Sequence, residues 1–490
     1  MIEREGIGRK KINLPKHFPL FFMAFTAFLA LVACKTLQVS PEQPLSRPPA
    51  PTLTLSARNI VVTQDEYTND PCGGGRLHVW SHTNGIYENT WTAKTFNYSC
   101  VAIGDIDGDP KREIIALGHC KMTETKQGDV IEYYKYFICV YKEDQQVGPN
   151  EMGIWKTTYY DALKNNIREA EHYHPQYSWC REITLADVDG DDINEIIVMT
   201  GHWLTIYEYD PNEVYGYNDS LGTLKKIAEV RPTFSKQPVR LKSVTVRDVD
   251  GKTGKEIIVT ANRERIVKYI SGVYSRYIEN DGYVFFYKFN DESLEMSSCL
   301  SIKAFLTDQS LRSGDLDNDG TLELCTTGFK KAGDMYQGYI FLWDYTSQWE
   351  LHEIPVGVPE NVWFEEGIES YTPRNHLEIG ELYTEHPGEE IVFALKHQML
   401  VTLCYWEGGT KLTTINNAPL YDYYFVEIEN VYVADTDGDE KNEIVVTGAG
   451  RSGPESGRFY LEIFDENLTR KWYRLGGNSR ETDIASAAIG

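Results

Sequence analysis

The sequence predicts an all-β fold made of one repeated unit, and three observations carry that prediction. First, the acidic segment Asp105-Ile106-Asp107-Gly108-Asp109-Pro110-Lys111-Arg112-Glu113 returns in the form D-x-D-x-D-x-x-x-E at Asp187–Glu195, Asp315–Glu323 and Asp435–Glu443. A fixed motif recurring at long period marks a repeat architecture. Second, three of these copies, and a weaker one at Asp248–Glu256, run straight into an apolar, largely β-branched stretch: Ile114-Ile115, Ile196-Ile197-Val198, Ile444-Val445-Val446 and Ile257-Ile258-Val259. Such runs favour strands over helices. Third, a strand dense in aromatics follows each of them, as in Phe137–Tyr141, Leu204–Tyr209, Tyr283–Tyr287, Tyr339–Trp343, Val401–Trp406 and Tyr460–Phe464.

These pieces assemble into one unit: strand, acidic loop, strand, aromatic strand and a more polar outer strand, such as Trp155–Tyr160 or Leu468–Leu475. That is a four-stranded antiparallel blade. The first two strands are apolar throughout, as two-sided burial between neighbouring blades requires, whereas the outer ones alternate. A further aromatic strand, Leu77–His82, and an outer strand near Thr90–Phe96 precede the first acidic loop. At the other end, Ile484–Gly490 resembles Ser99–Gly104 and stops where a seventh acidic loop would begin. The expectation is therefore a β-propeller of seven four-stranded blades with calcium-binding loops. Its ring is closed by joining the two ends, and its last blade is incomplete at the C-terminus.

Ahead of the repeats, Arg4, Arg9, Lys10, Lys11 and Lys16 precede an apolar run from Phe18 to Ala33. The run is short for a membrane span and has the layout of an export signal. It ends Leu31-Val32-Ala33-Cys34, which resembles a bacterial lipobox. The resemblance implies cleavage before Cys34, lipidation of that residue, and attachment to the exported face of the bacterial envelope through lipid alone. Residues 34–56 are rich in Pro, Ser and Thr, and read as a tether that lifts residues 57–490, the propeller, off the bilayer. Length alone would suggest about three domains, but single all-β domains run longer than that prior.

The loops themselves point to a cation. Carboxylates at positions 1, 3 and 5 of a tight loop repel one another unless a positive ion lies among them, and hard oxygen donors at this spacing suit Ca2+. The candidate ligands are Asp105, Asp107, Asp109 and Glu113; Asp187, Asp189, Asp191 and Glu195; Asp315, Asp317, Asp319 and Glu323; and Asp435, Asp437, Asp439 and Glu443. Gly108, Gly190, Gly320 and Gly438 supply the turn. An EF-hand would need flanking helices and a bidentate Glu at position 12. A weaker copy, Asp248, Asp250 and Glu256, has Lys252 in place of its third carboxylate, so weak or no metal is expected there. At Glu381–Glu389 the second carboxylate is lost altogether, and no metal is expected.

These segments resemble the FG-GAP (VCBS-type) repeats of integrin α-subunit propellers and of many bacterial surface proteins. The likeness includes the small residue before the first Asp (Gly104, Ala186, Gly314, Ala434) and a glycine closing the second strand (Gly118, Gly201, Gly328, Gly448). It implies calcium in the loops and a ligand, protein or glycan, held by loops on the opposite face. The alternative is a carbohydrate-active enzyme of the kind found among polysaccharide lyases, some of which are calcium-binding propellers.

Other features narrow the field. The formal net charge of −25 excludes a basic nucleic-acid footprint. The sequence contains no G-x-S-x-G, H-E-x-x-H or phosphate loop, and no catalytic residue is assigned. Cys139, Cys325 and Cys404 lie in apolar strands and read as small buried hydrophobes. His172 and His174 could offer two metal ligands, although a polar loop explains them as well. Trp363, Phe364, Glu365, Glu366, Glu369 and Tyr371, like Tyr421–Phe425, could stack on a sugar or fold over the rim.

Overall fold

The computed structural model describes residues 59–489 apart from 67–74, 94–96, 110, 127–128, 143–181, 211–222, 252–253, 269–273, 291–292, 334, 346–347, 361–374, 384–385, 387, 396–399, 421–425, 451–457 and 477–481. The export signal, Cys34, the tether, the His172/His174 pair and both aromatic clusters therefore lie outside the described residues. Among those described there are only strands and connections, and no helix is long and apolar enough to cross a membrane.

The strands form seven antiparallel sheets, one per blade, in a seven-bladed β-propeller. In chain order, blade I is the closing sheet and blade II comprises Asn97–Gly104, Glu113–Lys126 and Asp129–Tyr141. Its expected outer strand, Trp155–Tyr160, lies outside the described residues. Blade III runs from Glu182 to Val230, blade IV from Thr233 to Ile302 and blade V from Phe305 to Glu360. Blade VI spans Asn375–Pro419 and blade VII spans Val426–Gly476. Blade IV has an extra short strand, Thr233–Phe234, and the inner strand of blade V is split into Phe305–Leu306 and Arg312–Gly314.

The ring closes with one strand from the C-terminus and three from the N-terminus. Thr482–Ile489 is the innermost strand of blade I and pairs with Ile60–Glu66, which pairs with Arg76–Thr83, which pairs with Ile86–Ala93. The strand Ile60–Glu66 is the piece that the sequence reading leaves out. It completes the blade that the reading leaves short.

The apolar runs show why the blades stack. Alternate residues of a second strand go to opposite neighbours: Ile114 and Ala116 face blade I, while Ile115 and Leu117 face blade III. Ile196 and Val198 face blade II, and Ile197 and Met199 face blade IV. Among the described residues seven clusters of buried side chains result, each between two adjacent blades, and the last joins Val445 and Leu461 of blade VII to Ile60 and Trp80 of blade I. At about 1.5–3 kcal/mol for each fully buried aliphatic side chain, these inter-blade layers are the main favourable contribution to the fold.

Candidate metal centres

Every acidic loop joins the inner strand of a blade to its second strand, at one end of the sheet. In blades II, V and VI the residue before the loop is a glycine because the next blade passes beside it, whereas blade IV carries Arg247 there. A Cβ on Gly104 would lie 2.8 Å from Leu185 Cδ1, and one on Gly314 would lie 2.4 Å from Ile379 Cγ2. One on Gly380 would lie 2.7 Å from Val433 Cγ1. Position 2 of the loop then turns inward onto that neighbour: Ile106, Val188, Val249 and Leu316 are buried in the clusters shared with the following blade. In blade VII the position belongs to Thr436, whose hydroxyl pairs with the Tyr87 hydroxyl of blade I at 2.6 Å.

The loop folds on its own carboxylates. The position-1 Asp accepts the amide hydrogen of position 4: Gly108 on Asp105 (2.8 Å), Gly190 on Asp187 (2.6 Å), Gly251 on Asp248 (2.9 Å) and Gly438 on Asp435 (2.5 Å). Position 4 is left-handed, with φ of 75° at Gly108 and 87° at Gly190. In blade V it is Asn318 (φ 61°) that holds this place, and Gly320 lies two residues further on. Position 5 caps the amide of position 7: Asp109 takes Lys111 (2.7 Å), Asp191 takes Ile193 (2.8 Å), Asp319 takes Thr321 (2.7 Å) and Asp439 takes Lys441 (3.0 Å).

The position-9 Glu is the buried anchor. One oxygen, Oε2, accepts the amide hydrogen of position 2: Ile106 on Glu113 (3.2 Å), Val188 on Glu195 (2.8 Å), Val249 on Glu256 (3.1 Å), Leu316 on Glu323 (2.7 Å) and Thr436 on Glu443 (2.8 Å). The rest of the carboxylate faces the loop interior. In each of five loops, oxygens from positions 1, 3 and 9 lie within 4.8 Å of one another: Asp105/Asp107/Glu113, Asp187/Asp189/Glu195, Asp248/Asp250/Glu256, Asp315/Asp317/Glu323 and Asp435/Asp437/Glu443. The weakened loop of blade IV converges like the other four. Asp109, Asp191, Asp319 and Asp439 are not members of these groups and serve as turn caps.

In blade VI the loop is one residue longer than the reading Glu381–Glu389 implies. Glu390, paired with Gly380, takes the anchoring place and accepts the amides of Leu382 (2.8 Å) and Tyr383 (3.2 Å). Glu389 instead reaches back to blade V, where its Oε2 accepts the Asp315 amide hydrogen at 2.9 Å. The same loop-to-loop clip recurs where Asn194 Nδ2 donates to the Asp105 carbonyl and Asn442 Nδ2 to the Glu381 carbonyl, both at 2.8 Å.

Electrostatics follow from this crowding. Burial first, then neighbouring aspartates, push Glu195 up to about 7 and Glu323 up to about 8, against the pull of one amide each. Glu113 is pushed up to about 7 by burial and Asp107, with Lys142 opposing. Burial also raises Asp437, but the Lys471 ammonium outweighs it and holds the group below its ordinary value. Among the described residues, three lysines meet the loops: Lys142 on Asp107, Lys288 on Glu256, and Lys471 on Asp437 and Glu443. The sequence reading passes over all three.

A second charged cluster sits on the inner strands. Arg312 of blade V binds Glu378 of blade VI (2.8 Å) and Glu182 of blade III (3.4 Å), and Glu182 also accepts the Ser243 hydroxyl and the Val244 amide of blade IV, both at 2.8 Å. The free thiols of Cys100, Cys139, Cys325 and Cys404 are buried, which agrees with the hydrophobic role given to the last three.

No protein-family model matches this chain, and no curated protein matches it. Among solved structures, a Lactobacillus plantarum protein is similar at 10% identity, with a TM-score of 0.45 over 88% of this chain and 98% of that one. The periplasmic gluconolactonase of Pseudomonas aeruginosa is 13% identical, with a TM-score of 0.35 over 86% of this chain and 82% of that one. The exotype rhamnogalacturonan lyase YesX is 14% identical, with a TM-score of 0.39 over 87% of this chain and 80% of that one.

Proposed function

We propose that this chain is a calcium-braced β-propeller of the FG-GAP/VCBS kind, exported and held on the bacterial envelope by lipid at Cys34, that presents a binding surface to a protein or glycan. The observation that carries the calcium reading is at Glu323. The side chain is fully buried, and its Oε1 has no hydrogen-bond partner while lying in a group with Asp315 and Asp317. A buried carboxylate oxygen left unpaired costs more than an ordinary lost hydrogen bond. A hard divalent cation removes that cost, and the donors are the oxygens calcium takes. Asp315, Asp317 and Glu323 would hold it in blade V, and the equivalent trio in blade III. The ion would supply charge compensation and a brace across each hairpin.

The test is isothermal titration of the chelator-stripped chain with calcium, beside a screen against glycan and protein ligands with and without the ion. Calcium binding that vanishes with Asp315→Asn and Asp187→Asn together supports the metal reading; no binding to the native chain sinks it. A ligand captured only in calcium supports the binding role.

A second reading, a polysaccharide lyase-like enzyme, draws on Arg312 and its carboxylate partners on the inner strands, where cation and acids converge. Each of these groups is already engaged by another, which is why the binding module is preferred. Incubation with pectic and other acidic glycans decides it: accumulation of unsaturated products would establish the enzyme.

A further inference from the structure

We infer that the five converging loops are of two electrostatic kinds: those of blades III and V take a divalent cation. Those of blades II, IV and VII carry their own cation, a lysine ammonium that occupies the same carboxylates and that a metal would have to displace. This rests on the calcium reading above and says which loops it applies to.

The division follows from strand register. The residue after the last aromatic pairing of the third strand stands opposite the loop's anchoring Glu. In blade II, Tyr141 pairs with Ile114, so Lys142 comes next and its ammonium contacts Asp107 Oδ2. In blade IV, Tyr287 pairs with Ile257, and Lys288 is the next residue. Its Nζ lies 2.7 Å from Glu256 Oε1, an ion pair without hydrogen-bond alignment, and 3.8 Å from Asp250 Oδ2. In blade III, Tyr207 pairs with Ile196, and Glu208 is next; in blade V, Trp343 pairs with Leu324, and Asp344 is next. Those two loops therefore face one more carboxylate where the others face an ammonium.

Blade VII reaches the lysine state by another route. Its equivalent residue, Asp465, folds into a turn, accepting the amides of Asn467 (2.9 Å) and Thr469 (2.7 Å). The ammonium comes instead from the fourth strand: Lys471 Nζ is 2.5 Å from Asp437 Oδ2 and 3.0 Å from Glu443 Oε1. It bridges positions 3 and 9, two of the three members of the converging group. Among the described residues no lysine or arginine forms an ion pair with Asp187, Asp189, Glu195, Asp315, Asp317 or Glu323. Glu208, half exposed beside the blade III loop, is itself paired with Lys225 at 3.7 Å. In blade V the fully buried Glu323 Oε1 has no protein partner among the described residues and lies within the converging group, whereas the equally unpartnered Glu390 Oε1 of blade VI belongs to no such group.

The physical logic is substitution. An ammonium is a compact charge with three donors and suits a carboxylate cluster. It braces its loop with no ion present, whereas the loops of blades III and V depend on one. A divalent cation entering a lysine-filled loop must expel a tethered charge that is always at hand.

The experiment is calcium stoichiometry of the full chain by native mass spectrometry and isothermal titration. The native chain is expected to bind about two ions tightly, and the triple variant Lys142→Met, Lys288→Met, Lys471→Met to bind more. The single variant Lys288→Met serves if the triple fails to fold, and is expected to gain one. Each released loop should bind at least tenfold more tightly than in the native chain. Five equivalent ions on the native chain, or unchanged stoichiometry in the variants, overturns the inference. Native ions that survive Asp187→Asn with Asp315→Asn overturn the assignment of loops yet leave the calcium reading standing. No ion on either the native chain or the variants overturns both.

Discussion

Glu323 shows how one side chain can be both anchor and liability. Its Oε2 fixes the Leu316 amide, and burial with Asp317 beside it disfavours the ionised form. Glu323→Gln keeps an acceptor for that amide and removes the charge. In chelator the variant should unfold at least as late as the native chain. In calcium it should lose the increment from this site, about 2.7 kcal/mol at free calcium 100 times Kd. Thermal melts of both proteins in both conditions read this directly, and an equal calcium increment in the two would refute it. Glu182 provides the pH counterpart. Burial raises its pKa despite the opposing Arg312, Ser243 and the Val244 amide. A carboxyl raised in the folded chain binds its proton there to higher pH than when unfolded. Its contribution is therefore whole below the ordinary carboxylate range near 4.5 and shrinks as pH rises through the folded value. Urea midpoints measured upward from pH 4.5 should fall for the native chain relative to Glu182→Gln. Parallel curves would show that the ion pair holds the group at its usual value.

At the scale of the element, the blade V hairpin works because the loop is tight and the residue before it, Gly314, has no side chain. Gly314 is wedged against Ile379 and the Glu389 carboxylate of blade VI, both 2.4 Å from where a Cβ would stand. Gly314→Ala should cost about 1–3 kcal/mol by overpacking, seen as a lower urea midpoint with an unchanged slope. An unchanged midpoint would mean that the blades part more readily than this packing allows. The hairpins were readable from the sequence because they are local: Asp-x-Asp spacing, a left-handed residue at position 4 and a β-branched run all act within one stretch of chain. Relations between stretches escaped it. Ile60–Glu66 is short, and only its partners Thr482–Ile489 and Arg76–Thr83 make it a strand. Glu390 replaced Glu389 as anchor because a one-residue extension of the loop is invisible once the second carboxylate is gone. Lys142 and Lys288 were legible in principle, since each stands immediately after an aromatic run at a place where blades III and V carry an acid. Lys471 was not, since the turn at Asp465 that brings it round is a matter of three-dimensional register.

At the scale of the whole molecule, two devices tie the ring together, one at its axis and one at its seam. Arg312 draws blades III, V and VI together through Glu182 and Glu378, while Ser243 and Val244 add blade IV. Arg312→Met leaves two largely buried carboxylates without their cation, and losing one partner of such a network costs about 3–5 kcal/mol. The loss should appear as a fall in unfolding midpoint that Glu182→Gln partly restores, and no restoration would mean that the acids are not held by the arginine. The seam is a sharper test, because a ring of stacked sheets has no end only while blade I is whole. Thr482–Ile489 covers the inner edge of Ile60–Glu66, and Ala487 lies buried between blades VII and I. A chain ending at residue 481 would expose that edge and open the cluster around Ile60, Trp80 and Val445. It should bind a hydrophobic dye and lose a single cooperative melt. Adding a synthetic peptide of residues 482–490 should reverse both, since the strand is held by backbone pairing and packing rather than by a covalent link. A truncated chain that still melts sharply and ignores the peptide would show that six interfaces suffice and that closure does not set the stability of the ring.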